Sequence, residues 1–166
     1  MRFLFVDRII VLDPGRTIET LKNVSATEDV FADHFPGHPI FPGALLVESF
    51  EQASQVLIGV SHDFARVGRL RGVQRGVFRH FVRPGDQLRV RCVRTHRRAS
   101  GATGDDEGWT VSATAEVDGR RVASALLDFA IVSAVDADKE HAERLREHVR
   151  VLRAAPIDMR RDGGGP

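Results

Sequence analysis

The chain has 166 residues with 24 basic and 23 acidic side chains, a net charge of +1, 42% hydrophobic residues and one cysteine, Cys92. That is length for one domain with at most a small appendage, in an ordinary globular composition, and the lone cysteine excludes an internal disulfide framework and a thiolate zinc site. No apolar run reaches the ~18–20 residues of a membrane span. The opening MRFLFVDRII, broken by Asp7 and Arg8, is too short for a secretory signal. A reducing cytoplasm is therefore the expected compartment.

In chain order, residues 3–25 read as two short strands around Asp13-Pro14-Gly15, where proline presets φ and glycine permits a left-handed corner. Val24 to Thr27 then lead through Glu28 and Asp29 into about one helical turn. Residues 34–43, HFPGHPIFPG, hold three prolines and two glycines and exclude a regular element, while Phe35, Ile40 and Phe41 give the loop apolar anchors. A helix is predicted from Ala44 to Gly59; it is apolar on nearly every face, which marks it as buried, yet it carries Glu48, Glu51, Gln52 and Gln55.

From Gly72 the pattern turns to period two, with Val73, Val77 and Phe81 sharing a parity. Pro84-Gly85-Asp86 is a turn, after which Leu88, Val90 and Cys92 alternate with Arg89 and Arg91. Residues 100–108 read as a flexible loop, Trp109 to Val117 as an alternating strand, Asp118-Gly119 as a hairpin turn, and Val122 to Val132 as an apolar strand. Ala142, Leu145, Val149 and Leu152 fall at helical spacing in residues 136–155, an amphipathic helix that Asp136 or Asp138 could cap and that packs on the sheet or on another subunit. The expected class is α+β. One long buried helix wrapped by a curved antiparallel sheet is a hotdog fold, expected over 1–135, with a helical extension at 136–156 and a disordered tail at 157–166.

The near-zero net charge hides an asymmetry. Between Arg66 and Arg98 there are eleven arginines and one acid, Asp86. The stretch is either a landing surface for an acidic partner or a set of solvated arginines on exposed strand faces. No nucleic-acid motif accompanies it and tyrosine is absent, so no nucleic-acid partner is expected.

Three features converge at the start of the long helix. His34 lies in the proline-constrained loop, Gly43 at the helix N-terminus where backbone N–H groups lack intrahelical partners, and Glu48 just over one turn in, among apolar neighbours. A base, an oxyanion donor and a carboxylic acid are what proton abstraction beside a carbonyl with expulsion of a hydroxyl requires. Singly each has a blander reading: a solvated loop histidine, a turn glycine, a surface glutamate. Their order is far more specific than any member.

The segment His34-Phe35-Pro36-Gly37-His38-Pro39-Ile40-Phe41-Pro42-Gly43, followed by Ala44 to Glu48 and by Gln52, resembles the signature of 3-hydroxyacyl-[acyl-carrier-protein] dehydratases of the FabZ type. The likeness extends to Phe3 to Arg8, Leu12 to Gly15, Lys22 to Val24, Phe78-Arg79 and Val82 to Leu88, so it covers roughly residues 3–133. It implies a hotdog homodimer or higher oligomer, a hexamer included, whose active sites are each built by two chains. It further implies His34 as base, Glu48 from the opposite subunit as acid, Gly43 as donor to the thioester carbonyl, and no metal or dissociable cofactor. The implied reaction is dehydration of a (3R)-3-hydroxyacyl thioester, carried on the phosphopantetheine of an acyl carrier protein, to a trans-2-enoyl thioester in fatty-acid or similar biosynthesis. Phe35, Ile40, Phe41, Gln52 and Phe78 are candidate substrate contacts, although any single phenylalanine can equally be plain core. Gln52, one turn beyond Glu48, can orient its carboxyl group. Arg66, Arg69, Arg71, Arg75, Arg79 and Arg83 are candidates to dock the acidic carrier protein.

The chain departs from the family pattern at Ser49-Phe50-Glu51, where small residues are common, and in the extension beyond about Asp136. Alternatives are a hotdog thioesterase, a dehydratase of a specialised polyketide or polyene pathway, and a catalytically silent acyl-binding subunit. Glutamate rather than aspartate at position 48 argues for dehydration without isomerisation.

Overall fold

The computed structural model describes residues 4–95, 108–137 and 139–154. The strands are β1 (Arg8–Asp13), β2 (Thr17–Asn23), β3 (Arg66–Phe78), β4 (Gln87–Arg94), β5 (Gly108–Val117) and β6 (Arg120–Ser133). The helices are α1 (Val30–Asp33), α2 (Gly43–Ser61), α3 (Ala134–Ala137) and α4 (Lys139–Ala154). All six strands form one antiparallel sheet in the order β1-β2-β4-β5-β6-β3. Because β2 and β3 lie far apart in that order, the chain between them crosses the sheet, and α2 makes the crossing.

The hairpin turn at Asp13-Pro14-Gly15 forms as read, with Arg16 N–H donating to the Asp13 carbonyl and Gly15 at φ 77°. Gly15 N–H also donates to Ser61 Oγ at 2.7 Å, which ties this corner to the end of α2. Strict alternation holds on β4, where Leu88, Val90 and Cys92 are fully buried between exposed arginines at 89 and 91. On β5 and β6, Ala113, Ala115, Ala123 and Ala125 present small side chains. Larger groups of α2, including Phe50, Leu57 and Ile58, fill the same core. Gly68 on β3 is a close-approach site: a Cβ there would stand 2.6 Å from Ile58 Cδ1, so a larger residue would require the Ile58 side chain to shift.

Two expectations need correction. Strand β3 begins at Arg66, six residues before the predicted start, and Phe81 lies beyond its end with 67% of its surface exposed. The reason is geometric. Register shifts between Leu70 and Gly72 and between Val73 and Arg75 break the parity that Val73, Val77 and Phe81 were to share. Helix α2 is also longer than predicted, running from Gly43 to Ser61.

The C-terminal stripe is as read: Ala142, Leu145, Val149 and Leu152 are all buried. Helix α4 lies on its own chain, against α2 and β1. Arg146 secures it by donating to the Asp63 carbonyl at 2.8 Å while lying 5.4 Å from the Phe64 ring. The predicted loop tip at 100–107 and the tail at 157–166 lie outside the described residues. No helix among the described residues is long and apolar enough to cross a membrane.

Candidate active site

His34 stands where α1 ends. Its backbone N–H donates to the Val30 carbonyl at 3.0 Å and its carbonyl accepts from Ile40 N–H at 3.1 Å. Its ring Nδ1 lies 3.1 Å from the Ile40 carbonyl. A carbonyl only accepts, so Nδ1 carries the proton, and in the neutral ring Nε2 keeps its lone pair. The Phe35 ring stacks on the imidazole at 4.3 Å and is itself 53% exposed. Phe41 closes the loop from inside: it is buried against Phe5 and Phe31, and its N–H donates to the Val82 carbonyl. Phe41 is thus a core anchor, while Ile40 serves through its backbone.

The second group stands on α2. Glu48 Oε1 accepts from Gln52 Nε2 at 2.8 Å, and Gln52 Oε1 accepts from Phe5 N–H at 2.9 Å. The Phe5 donor fixes the flip of the Gln52 amide, which must then present its NH₂ to the carboxylate. The contact of Gln52 with Glu48 was legible from the one-turn spacing; Phe5, 47 residues away, was not. Glu51 sits one turn from Glu48 on the same side of the helix. Burial and the Glu48 carboxylate raise its pKa above the usual 4.5, against a hydrogen bond with Gln55 that lowers it.

Gly43 is the third element. The α2 ladder begins with Leu45 and Leu46 N–H groups donating to the Pro42 carbonyl, so the Gly43 N–H lies ahead of it. The Phe78 ring, 52% exposed, covers this helix start: a Cβ on Gly43 would meet Phe78 Cε1 at 3.4 Å. Phe78 therefore borders Gly43, while Phe35 borders the His34 imidazole.

Glu48 opens onto a cavity of about 470 Å³ that Glu51, Gln52 and Gln55 also line. No residue of the His34 loop lines it, and within one chain no hydrogen bond joins His34 to Glu48 among the described residues. Of the arginines, Arg79 and Arg83 flank the segment that touches Phe41 and Gly43. Arg66 lies at the far end of β3, roughly 40 Å away along an extended strand, beside the Ile131 carbonyl.

A single long helix enclosed by one curved antiparallel sheet defines the hotdog fold. Solved structures of similar shape include a hot-dog-like protein from Thermanaerovibrio acidaminovorans, with a TM-score of 0.60 and 16% identity over 80% of this chain and 93% of that one. Another is smu.793 from Streptococcus mutans UA159 bound to acetyl CoA, with a TM-score of 0.60 and 15% identity over 80% and 94%. The family described as the FabA-like domain matches residues 1–126. Curated relatives named 3-hydroxyacyl-[acyl-carrier-protein] dehydratase FabZ include one from Myxococcus xanthus, 38% identical over 146 residues, which are 85% of this chain and 88% of that protein. One from Nitratiruptor is 37% identical over 137 residues, 78% and 88% of the two chains. One from Symbiobacterium thermophilum is 46% identical over 89 residues, and there the match spans 53% of this chain and 63% of the relative. The chain belongs to the FabA-like family, among its FabZ-type dehydratases.

Proposed function

We propose that the protein is a 3-hydroxyacyl-[acyl-carrier-protein] dehydratase that works as a homodimer with two shared active sites. The observation that carries this reading is the His34 ring held through Nδ1 by the Ile40 carbonyl, which leaves the Nε2 lone pair of the neutral ring to accept a proton. In the proposed reaction Nε2 takes a proton from C2 of the (3R)-3-hydroxyacyl thioester. The Gly43 N–H steadies the negative charge on the thioester oxygen. The C2 electron pair then forms the C2–C3 double bond as the C3–oxygen bond breaks, and the partner's Glu48 supplies the proton with which the hydroxyl leaves as water. This sequence calls on no metal and no dissociable cofactor.

Separation of His34 from Glu48 within one chain supports a two-chain site. The exposed outer edge of β3 supports the route to it, since an unpaired thirteen-residue edge strand is a template for a second copy. A two-fold pairing of β3 with itself is antiparallel; centred on Gly72 it sets Arg66 of one chain beside Phe78 and Arg79 of the other, and Arg69 opposite Arg75. In that arrangement Arg66, Arg69, Arg71, Arg75, Arg79 and Arg83 form one basic field for an acidic carrier protein. We assign residues 1–135 to the dehydratase domain and 136–156 to an appendage, and place the enzyme in the cytoplasm.

His34→Ala and Glu48→Gln each lower the rate by about 10²–10⁴. Hydration of a crotonyl thioester, the reverse reaction, measures this directly. Near-wild-type hydration by both variants overturns the assignment, and thioester hydrolysis without enoyl hydration makes the protein a thioesterase.

A further inference from the structure

The cavity that begins at Glu48 runs along one face of α2. Glu48, Glu51, Gln52, Gln55 and Val56 recur at the three- and four-residue spacing of a single helical side. From Glu48 to Val56 the helix rises about 12 Å. At its far end the lining passes to Arg144, Leu145 and His148 of α4.

That end is closed. Leu145 belongs to the main core, is 7% exposed, and its Cδ2 stands 3.1 Å from where a Cβ on Gly59 would be. The two helices therefore meet tightly just past Val56, the furthest residue along α2 that lines the cavity. Arg144 and His148, four residues apart and on either side of Leu145 in sequence, line the same cavity as Glu51 and Gln55. The family model matches residues 1–126, and α4 lies beyond that span.

We propose that α4 is the end wall of the acyl site, and that Leu145, with Arg144 and His148 beside it, restricts the enzyme to short- and medium-chain thioesters. The inference deepens the dehydratase reading and rests on it. With C3 placed at Glu48, a tail laid along α2 has room for about ten bonds at the advance of an extended chain. A substrate longer than about twelve carbons meets Leu145. Before that limit its methylenes meet Leu4, Val6 and Val56, but at the α4 end they lie against the Arg144 guanidinium and the His148 imidazole, which give an apolar tail little in exchange for leaving water.

The test compares kcat/KM for 3-hydroxyacyl thioesters of four to sixteen carbons, using the full-length wild type, Arg144→Leu, His148→Leu and Leu145→Ala. For the wild type, sixteen carbons are expected to fall about tenfold or more below eight. Arg144→Leu and His148→Leu change half-exposed side chains, so they keep the test valid should Leu145→Ala disturb the fold. Each is expected to raise the ratio of long-chain to four-carbon kcat/KM several-fold, on the order of the effect of a methylene or two of apolar contact. Equal wild-type turnover of eight and sixteen carbons overturns the inference alone, as does a ratio unmoved by every folded variant. No wild-type turnover at any length overturns the dehydratase reading and this inference with it.

Discussion

The two halves of the site are built by opposite means. His34 is fixed locally: Val30 and Ile40, four and six residues away, supply its backbone and ring partners. Glu48 is fixed at a distance, through Gln52 and the Phe5 N–H, on a helix whose neighbouring turn is sealed in the core. The first half can be read from ten consecutive residues, of which 35–39 are exposed. The second half is inseparable from the fold.

The largest expected effect tests whether the halves come from different chains. His34→Ala and Glu48→Gln subunits, each inactive alone, are co-expressed and the mixed dimers assayed for crotonyl-thioester hydration. A shared site regenerates one intact His34–Glu48 pair per mixed dimer, so random pairing restores about a quarter of wild-type activity. Activity no higher than that of the single variants would put both groups in one chain.

Next comes the contrast in stability. Phe50, two residues from Glu48, is fully buried, and Phe50→Ala is expected to cost about 3–5 kcal/mol in denaturant unfolding. Phe35, next to His34, is 53% exposed, and Phe35→Ala should stay within about 0.5 kcal/mol of wild type. Equal losses would erase the distinction drawn between the halves.

A smaller effect addresses the relay behind the acid. Gln52→Leu removes both the donor to Glu48 and the acceptor of Phe5 N–H. It should lower kcat on the order of tenfold to a hundredfold, with KM changed far less, because the carboxyl group is misaimed rather than lost. A change confined to KM would show that Gln52 contacts substrate instead.

The same contrast explains what the sequence could disclose. Elements with one clean periodicity were legible: β4 from Leu88, Val90 and Cys92, α4 from Ala142, Leu145, Val149 and Leu152, and the buried nature of α2 from its all-round apolar character. The first half of β3 was not, because Arg66-Val67-Gly68-Arg69 mixes glycine and charge, and its bulges reset the parity downstream. At the site, the His34 loop and the Glu48–Gln52 spacing are local and could be read. Phe5 N–H, Phe78 over Gly43, and the cavity that Arg144 and His148 share with Glu51 depend on tertiary packing between distant segments, for which one sequence has no signal. Phe41 shows the limit from the other side: its composition fits a substrate wall as well as a core anchor, and its contacts with Phe5 and Phe31 give it the second role.

The smallest expected effect concerns Glu51, which lies in the core-bound half yet faces the cavity. Burial first, and the Glu48 carboxylate second, raise its pKa above the ordinary 4.5. A raised folded-state pKa means the folded chain keeps this proton after the unfolded chain has released it. Its contribution to stability is therefore fully present below about pH 4.5 and is lost as the pH rises through the higher folded value. Glu51→Gln removes the titration while keeping the shape and a hydrogen-bonding group for Gln55. Its melting temperature should match wild type in acid and exceed it increasingly above pH 4.5, the gap levelling off once Glu51 is ionised in the folded wild type. A gap of constant size at every pH would mean that Glu51 affects stability through packing, with its charge already compensated by α4.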